Sequence, residues 1–291
     1  MRIDQLLVQR QLASTRSQAQ RLIAGGVQWL QGEAWRRIAK NGDEVPADAQ
    51  IRLLDDAEAR YVSRGGLKLE AALRQLSLKP AGWQCLDVGQ STGGFTDCLL
   101  QHGAALVVGV DVGSAQLHPR LRADPRVLCV ESCNARTLNA SELIASYQDS
   151  ISDTGPFDLE NDALEANLAD SSSTAAVPAP DNFVPEFDLI VADLSFISQT
   201  LVLPAVLPLL KPAGTLLTLV KPQFELQPGQ VGKGGIVKDV ALYAVVEQRL
   251  RQACGGLGLR VTHWLDSPIA GGDGNREFFI AAIKPRIPEI Q

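Results

Sequence analysis

From residue 84 onward, short apolar runs alternate with stretches in which apolar residues return every three or four positions. The runs fall at residues 85–88, 106–110, 127–130, 189–192 and 216–220, followed by 260–264 and 278–283. Runs of this length read as strands buried on both faces, and the periodic stretches between them read as crossover helices. The pattern predicts an α/β fold with a mostly parallel sheet, Rossmann-like in its alternation. Ligands in such sheets bind beyond the carboxyl ends of the strands, so residues just after each run are the candidates for chemistry. Upstream, Leu69, Ala72, Leu73 and Leu76 share one helical face. Lys68 lies beside that face, where a lysine ordinarily carries its ammonium out to solvent.

Residues 1–58 read as a separate small α+β unit. Leu6, Leu7 and Leu12 predict a first helix. Ser14 is the expected N-cap of a second over 15–24, with Gly25-Gly26 as its stop. Short strands are expected at 27–30 and 51–54, with a turn at Gln31-Gly32. This order of helix, helix, LIAGGVQWLQG and a Gly-Asp turn before a last strand resembles the S-four-type RNA-binding domain. That resemblance implies basic residues on the second helix, here Arg16 and Arg21, presented to RNA. Residues 59–63 read as a linker and 64–291 as the larger domain. Within it, 141–186 is rich in Ser, Asp, Ala and Pro, and 139–187 holds ten acids with no Lys or Arg. So little apolar surface does not offset chain entropy, and the stretch reads as an acidic, disordered insertion.

Composition narrows the function classes. The chain has 291 residues, 45% hydrophobic and 21% charged, enough for a sizeable core. No run of 18 apolar residues predicts a membrane-spanning helix, and the charged N-terminus has no signal-peptide character, so a cytoplasmic protein without a membrane partner is expected. The five cysteines read as reduced thiols, with no metal site expected even at Cys129 and Cys133. The net charge of −6 speaks against nucleic acid, but residues 1–40 carry seven Lys/Arg against only Asp4 and Glu33. Local fields attract phosphate, so Arg10, Arg16, Arg21, Arg36 and Lys40 are candidate RNA contacts, although a solvated basic face accounts for the same charges.

The first run of the larger domain ends in Asp87-Val88-Gly89, followed by Gln90-Ser91-Thr92-Gly93-Gly94-Phe95. The second ends at Asp111, an acid placed to accept hydrogen bonds from ribose hydroxyls. Dinucleotide loops want G-x-G-x-x-G, whereas these glycines fall as G-x-x-x-G-G, which disfavours a nicotinamide enzyme. The acid-first pattern suits the cationic methionine end of S-adenosylmethionine. Asp87, Gly89, Ser91, Thr92, Gly93, Gly94, Phe95, Asp111, Val112, Asn134, Ala135 and Asp193 are the candidate cofactor contacts.

Four charges flank apolar segments: Lys68, Asp193, Lys221 and Glu277. Their contexts are SRGGLKLEAAL, DLIVADLSFIS, LVKPQFE and NREFF, and with CLDVGQSTGGFTDCLL and GKGGIVKD they closely resemble the FtsJ-like ribose 2′-O-methyltransferases. Within these the chain resembles the TlyA family, whose members carry both rRNA-methyltransferase and haemolysin A names. The resemblance implies a catalytic Lys-Asp-Lys-Glu set at these four positions, S-adenosylmethionine as cofactor, and a cytidine 2′-hydroxyl of ribosomal RNA or a ribosomal subunit as target. A ribose hydroxyl must lose its proton as it attacks, and Lys221 is the expected general base. Arg64 and Lys233 join the expected RNA contacts, and the glycine-rich loop around Lys233 either closes over the target or is an ordinary connection. A non-catalytic RNA-binding or ribosome-assembly protein and a membrane-lytic haemolysin stand as the alternatives.

Overall fold

The computed structural model describes residues 1–13, 15–54, 60–152, 183–271 and 274–286. The N-terminal unit comprises α1 (Ile3–Gln9), α2 (Arg16–Gly26), β1 (Val27–Gln31), β2 (Ala34–Arg37) and β3 (Ile51–Leu53). Its antiparallel strands lie in the order β2-β1-β3. Ile3, Leu6 and Leu7 of α1 meet Leu22 and Ile23 of α2 and Val27 of β1 in one core. The N-cap of α2 is Thr15, whose hydroxyl accepts from Gln18 N at 3.2 Å; Ser14, the expected cap, lies outside the described residues. Asp4 is fully buried, and Arg2 and then Arg16 hold its carboxyl well below the usual carboxylate range.

Residues 60–63, expected as linker, pack onto the larger unit. Tyr61 is buried, and its ring presses on Gly66 so closely that any side chain there would collide. Val62 N donates to Asp97 at 2.9 Å. The small size of Gly66 lets the segment dock, which a reading of polar composition alone does not register.

The larger unit runs α3 (Arg64–Leu76), β4 (Gln84–Val88), α4 (Gly94–Gln101), β5 (Leu106–Val110), α5 (Pro119–Arg122), β6 (Val127–Val130), α6 (Ala140–Ser152) and β7 (Phe187–Asp193). It continues with α7 (Leu203–Val206), β8 (Leu210–Val220), α8 (Pro222–Glu225), α9 (Ala241–Gly256), β9 (Arg260–Asp266) and β10 (Phe278–Ile283). One seven-stranded sheet has the order β6-β5-β4-β7-β8-β10-β9, with β10 antiparallel to both neighbours. Continuous apolar runs serve this sheet because alternate residues feed opposite cores. Leu86, Ile190 and Leu216 enter one core, and Cys85, Leu189, Val191 and Leu217 the other.

Part of the stretch expected to be a disordered insertion is ordered. Residues 140–152 form α6, with Leu143 and Tyr147 buried one turn apart and Tyr147 stacked on Phe183 at 4.4 Å. Asn139 starts the helix by accepting from Glu142 N at 3.0 Å. Residues 153–182 of the expected insertion lie outside the described residues. Among the described residues, no helix is long and apolar enough to cross a membrane.

Candidate active site

The crevice forms where the loop after β4 meets the end of β7. Gly89 has φ +84°, and a side chain there would sit 2.8 Å from the Asp193 carbonyl oxygen. Only glycine allows that approach. Two adjoining hollows open on it. The larger, about 490 Å³, is lined by Asp111, Val112, Asn134, Ala135 and Phe196 among others. The smaller, about 210 Å³, is lined by Ser63, Thr92, Gly94, Phe95 and Lys221 among others. Both share Gly89, Ser91, Asp193 and Ser195. Two candidate cofactor residues line neither: Gly93, whose left-handed backbone starts α4, and Asp87, beneath the loop. Another hollow, about 590 Å³, lies between the two units against Gln18, Tyr61 and Arg120 and touches none of the four singled-out charges.

Two carboxylates organise the crevice. Asp111 accepts from Ser91 N at 2.8 Å and from Gly113 N at 2.7 Å, tying the tip of β5 to the glycine loop. Asp87 accepts from the Thr96 hydroxyl at 2.7 Å, which in turn accepts from Gln90 Nε2 at 2.9 Å. The second Asp87 oxygen is buried without a partner. Burial pushes the Asp87 carboxyl up to about 7 against the opposing Thr96 hydrogen bond, with Asp193 adding to the rise. A buried acceptor without a donor is costly, and a cationic ligand group answers that need.

The four singled-out charges form two ion pairs. Strand register explains their meeting: Phe278 faces Val220 and Asp193 faces Leu219, so Glu277, Lys221 and Asp193 emerge at neighbouring strand ends. Lys221 Nζ lies 2.5 Å from Asp193 Oδ1 and 2.9 Å from Ser195 Oγ. Lys68 does not reach solvent; it is buried on α3 with Nζ 2.5 Å from Glu277 Oε2. Burial pushes the Glu277 carboxyl up, and Lys68 opposes that rise.

Four further residues shape the site. Glu225 is buried; it accepts from Ser198 Oγ at 2.5 Å and Gln199 N at 2.8 Å, so the segment carrying Asp193 and Ser195 is clamped to the one carrying Lys221. Gln199 completes the clamp by donating to the Leu219 carbonyl at 2.6 Å. Asn275, two residues before Glu277, donates to the Gly235 carbonyl at 2.8 Å and accepts from Val237 N at 2.9 Å. The glycine-rich loop is therefore tethered beside Glu277. Phe196 is 91% exposed, with φ +64°, and its ring lies 5.0 Å from that of Phe224. An exposed aromatic in a left-handed conformation is an unfavourable local choice unless it serves a ligand. Its signal was available in the motif LSFIS, one residue past Ser195.

The expected RNA contacts divide by engagement. Arg10 donates to the carbonyls of Ala49 and Ala47, and Arg16 is paired with Asp4, so both brace the N-terminal unit. Arg21 is half-buried on α2, while Arg36 and Lys40 are exposed. Arg64 opens α3, and Lys233 is exposed on the tethered loop.

Residues 61–284 match the FtsJ-like methyltransferase family, and residues 1–26 match the S4 domain. The Mycobacterium tuberculosis 16S/23S rRNA (cytidine-2′-O)-methyltransferase TlyA is 37% identical over 279 residues, covering 96% of this chain and 88% of that protein. Hemolysin A of Brachyspira hyodysenteriae is 31% identical, covering 96% of this chain and 98% of its own length. A solved structure of a "putative hemolysin" from Streptococcus thermophilus superposes with a TM-score of 0.64 at 33% identity, over 99% of this chain and 91% of that one. At this identity and coverage, the chain belongs to the FtsJ-like methyltransferase family alongside the TlyA proteins, and carries an S4 domain ahead of its catalytic sheet.

Proposed function

We propose that this protein methylates a ribose 2′-hydroxyl of ribosomal RNA, at a cytidine, using S-adenosylmethionine. The observation that carries this reading is the Lys221–Asp193 pair at the junction of the two hollows. Bound, the cofactor supplies an electrophilic methyl group. The Gly89 loop, with the Asp87 carboxyl beneath it, would hold its amino end, Asp111 would hold its ribose, and Val112, Asn134 and Ala135 would line the place of its adenine. Once the Lys221 ammonium has released a proton to solvent, its neutral amine takes the proton of the attacking 2′-hydroxyl, while Asp193 and Ser195 aim the amine. The buried Lys68–Glu277 pair lines neither hollow and acts on Lys221 and Asp193 through its charges. Phe196 offers a flat surface on which an unstacked target base rests. The test is methyl transfer by the purified protein to ribosomal RNA and to ribosomal subunits, with the product mapped by mass spectrometry. A 2′-O-methylcytidine is expected, and Phe196→Ala should weaken RNA use more than cofactor affinity, because Phe196 also lines the larger hollow. No transfer, or a methyl on a base, overturns the reading.

The Asp87 carboxyl gives this assignment a second test. With its midpoint near 7, the group is largely protonated at pH 6 and must release that proton before facing a cationic amine. At pH 8 it is already ionised. Cofactor affinity is therefore expected to rise about tenfold between pH 6 and 8, the ratio of the ionised fractions of a group with its midpoint near 7. Isothermal calorimetry measures it, and Asp87→Asn should bind weakly with a flat profile. A wild-type affinity unchanged across that range removes Asp87 from the cofactor's charged end.

A further inference from the structure

We propose that the outer face of the N-terminal sheet is a second RNA-backbone clamp, formed by Arg37 and Arg52 on either side of Gln28 and backed by Trp35; it rests on the proposed RNA substrate. Side chains of directly paired antiparallel residues share a face. Gln28 pairs with Arg37 on one side and Arg52 on the other, so the three make one row across β2-β1-β3. Val27 and Trp29, before and after Gln28, turn inward to the core that α2 covers, which leaves this row on the opposite side of the sheet from Arg16 and Arg21. Leu30 pairs with Trp35 in the next outward row.

The row is organised rather than a loose set of charges. The Arg52 guanidinium lies 4.7 Å over the Trp35 ring and donates to Gln28 Oε1 at 2.5 Å. Stacking and that hydrogen bond hold a guanidinium fork that would otherwise lose rotamer freedom on binding. Arg37 is exposed and, among the described residues, has no ion-pair partner; Arg52 has none either. Two strand spacings of about 4.8 Å separate their backbones, a span from which both side chains reach one phosphate or two successive ones. Two uncompensated guanidinium groups beside an exposed indole are complementary to a polyanion carrying planar bases. Because α2 occupies the other side, the domain would touch RNA on two faces, which suits a folded RNA better than a short single strand.

The test is salt-dependent binding of the full-length protein to an in vitro transcribed ribosomal RNA. Replacing both residues, Arg37→Gln with Arg52→Gln, should reduce affinity at least about tenfold at about 0.1 M salt and lower the slope of log K against log salt by roughly 2, one phosphate contact for each charge. The paired lysine variant, Arg37→Lys with Arg52→Lys, should restore the slope, and cofactor affinity should be unchanged in both. An unaltered affinity and slope in the glutamine variant overturns the proposal. So does a loss confined to intact ribosomal subunits with bare RNA bound normally, since that assigns the face to a ribosomal protein. Because binding is read without turnover, a wild-type protein that binds this RNA but transfers no methyl would sink the catalytic reading alone.

Discussion

Lys221→Arg is expected to abolish methyl transfer while leaving the fold and the cofactor hollow intact. Lys221 Nζ sits 2.5 Å from Asp193 and 2.9 Å from Ser195, and its side chain is 13% exposed, so it faces the hollow with its direction set by two partners. Arginine preserves the charge and can still pair with Asp193. It cannot accept a proton at ordinary pH, because the guanidinium titrates above about 12. General-base catalysis contributes about 10²- to 10⁴-fold, and a loss of that size is expected in single-turnover rate at saturating cofactor and RNA. Cofactor affinity should fall far less than the rate, since Lys221 is absent from the larger hollow, where the ribose and adenine are assigned, and arginine keeps the charge beside Asp193. A variant retaining more than about a tenth of the wild-type rate would mean that Lys221 contributes charge and position rather than proton transfer.

How far the residues announced this arrangement depends on what each element buries. Strands β5, β6 and β10 match the apolar runs end to end, because nearly all their side chains lie in the cores on the two sheet faces. Strand β2 could not be read so: all four of its residues are exposed, and pairing with β1 alone makes it a strand. The direction of β10 was equally hidden. A continuous apolar run carries no polarity, and it is the α9 crossover to β9 that leaves the slot beside β8 to be filled by an antiparallel return. Helix α6 was missed because its buried stripe among the described residues is short, Leu143 and Tyr147 with Ile144 partly buried, set in acidic and small residues; the Asn139–Glu142 spacing was the overlooked start signal.

The four charges were legible as a set, but their partners were not. Lys68 and Glu277 lie 209 residues apart, and nothing in their spacing says that this lysine turns inward. The clamp made by Gln199 and Glu225 was invisible for a related reason. A buried glutamate three residues into a short helix looks in sequence like any exposed helical acid, and only the meeting of two loops supplies its partners.

Glu277→Ala should cost stability as well as activity, and the two losses can be separated. Lys68 is 6% exposed and Glu277 3% exposed, so removing the carboxylate leaves a buried ammonium without its ion-pair partner. Breaking a buried pair in this way costs about 3–5 kcal/mol. The expected result is a urea midpoint shifted well downward with little change in slope. Replacing both partners by apolar groups, Lys68→Met with Glu277→Leu, removes the uncompensated charge and should recover most of that loss, because a well-packed apolar pair is often as stable as the ion pair it replaces. Methyl transfer should not recover, since Glu277 also faces Lys221 and Asp193 across the strand ends and contributes to their field. A double variant that is stable and methylates at the wild-type rate would reduce the Lys68–Glu277 pair to a structural contact. A single variant as stable as wild type would mean that the stranded ammonium reaches water and that the pair is not sealed from solvent.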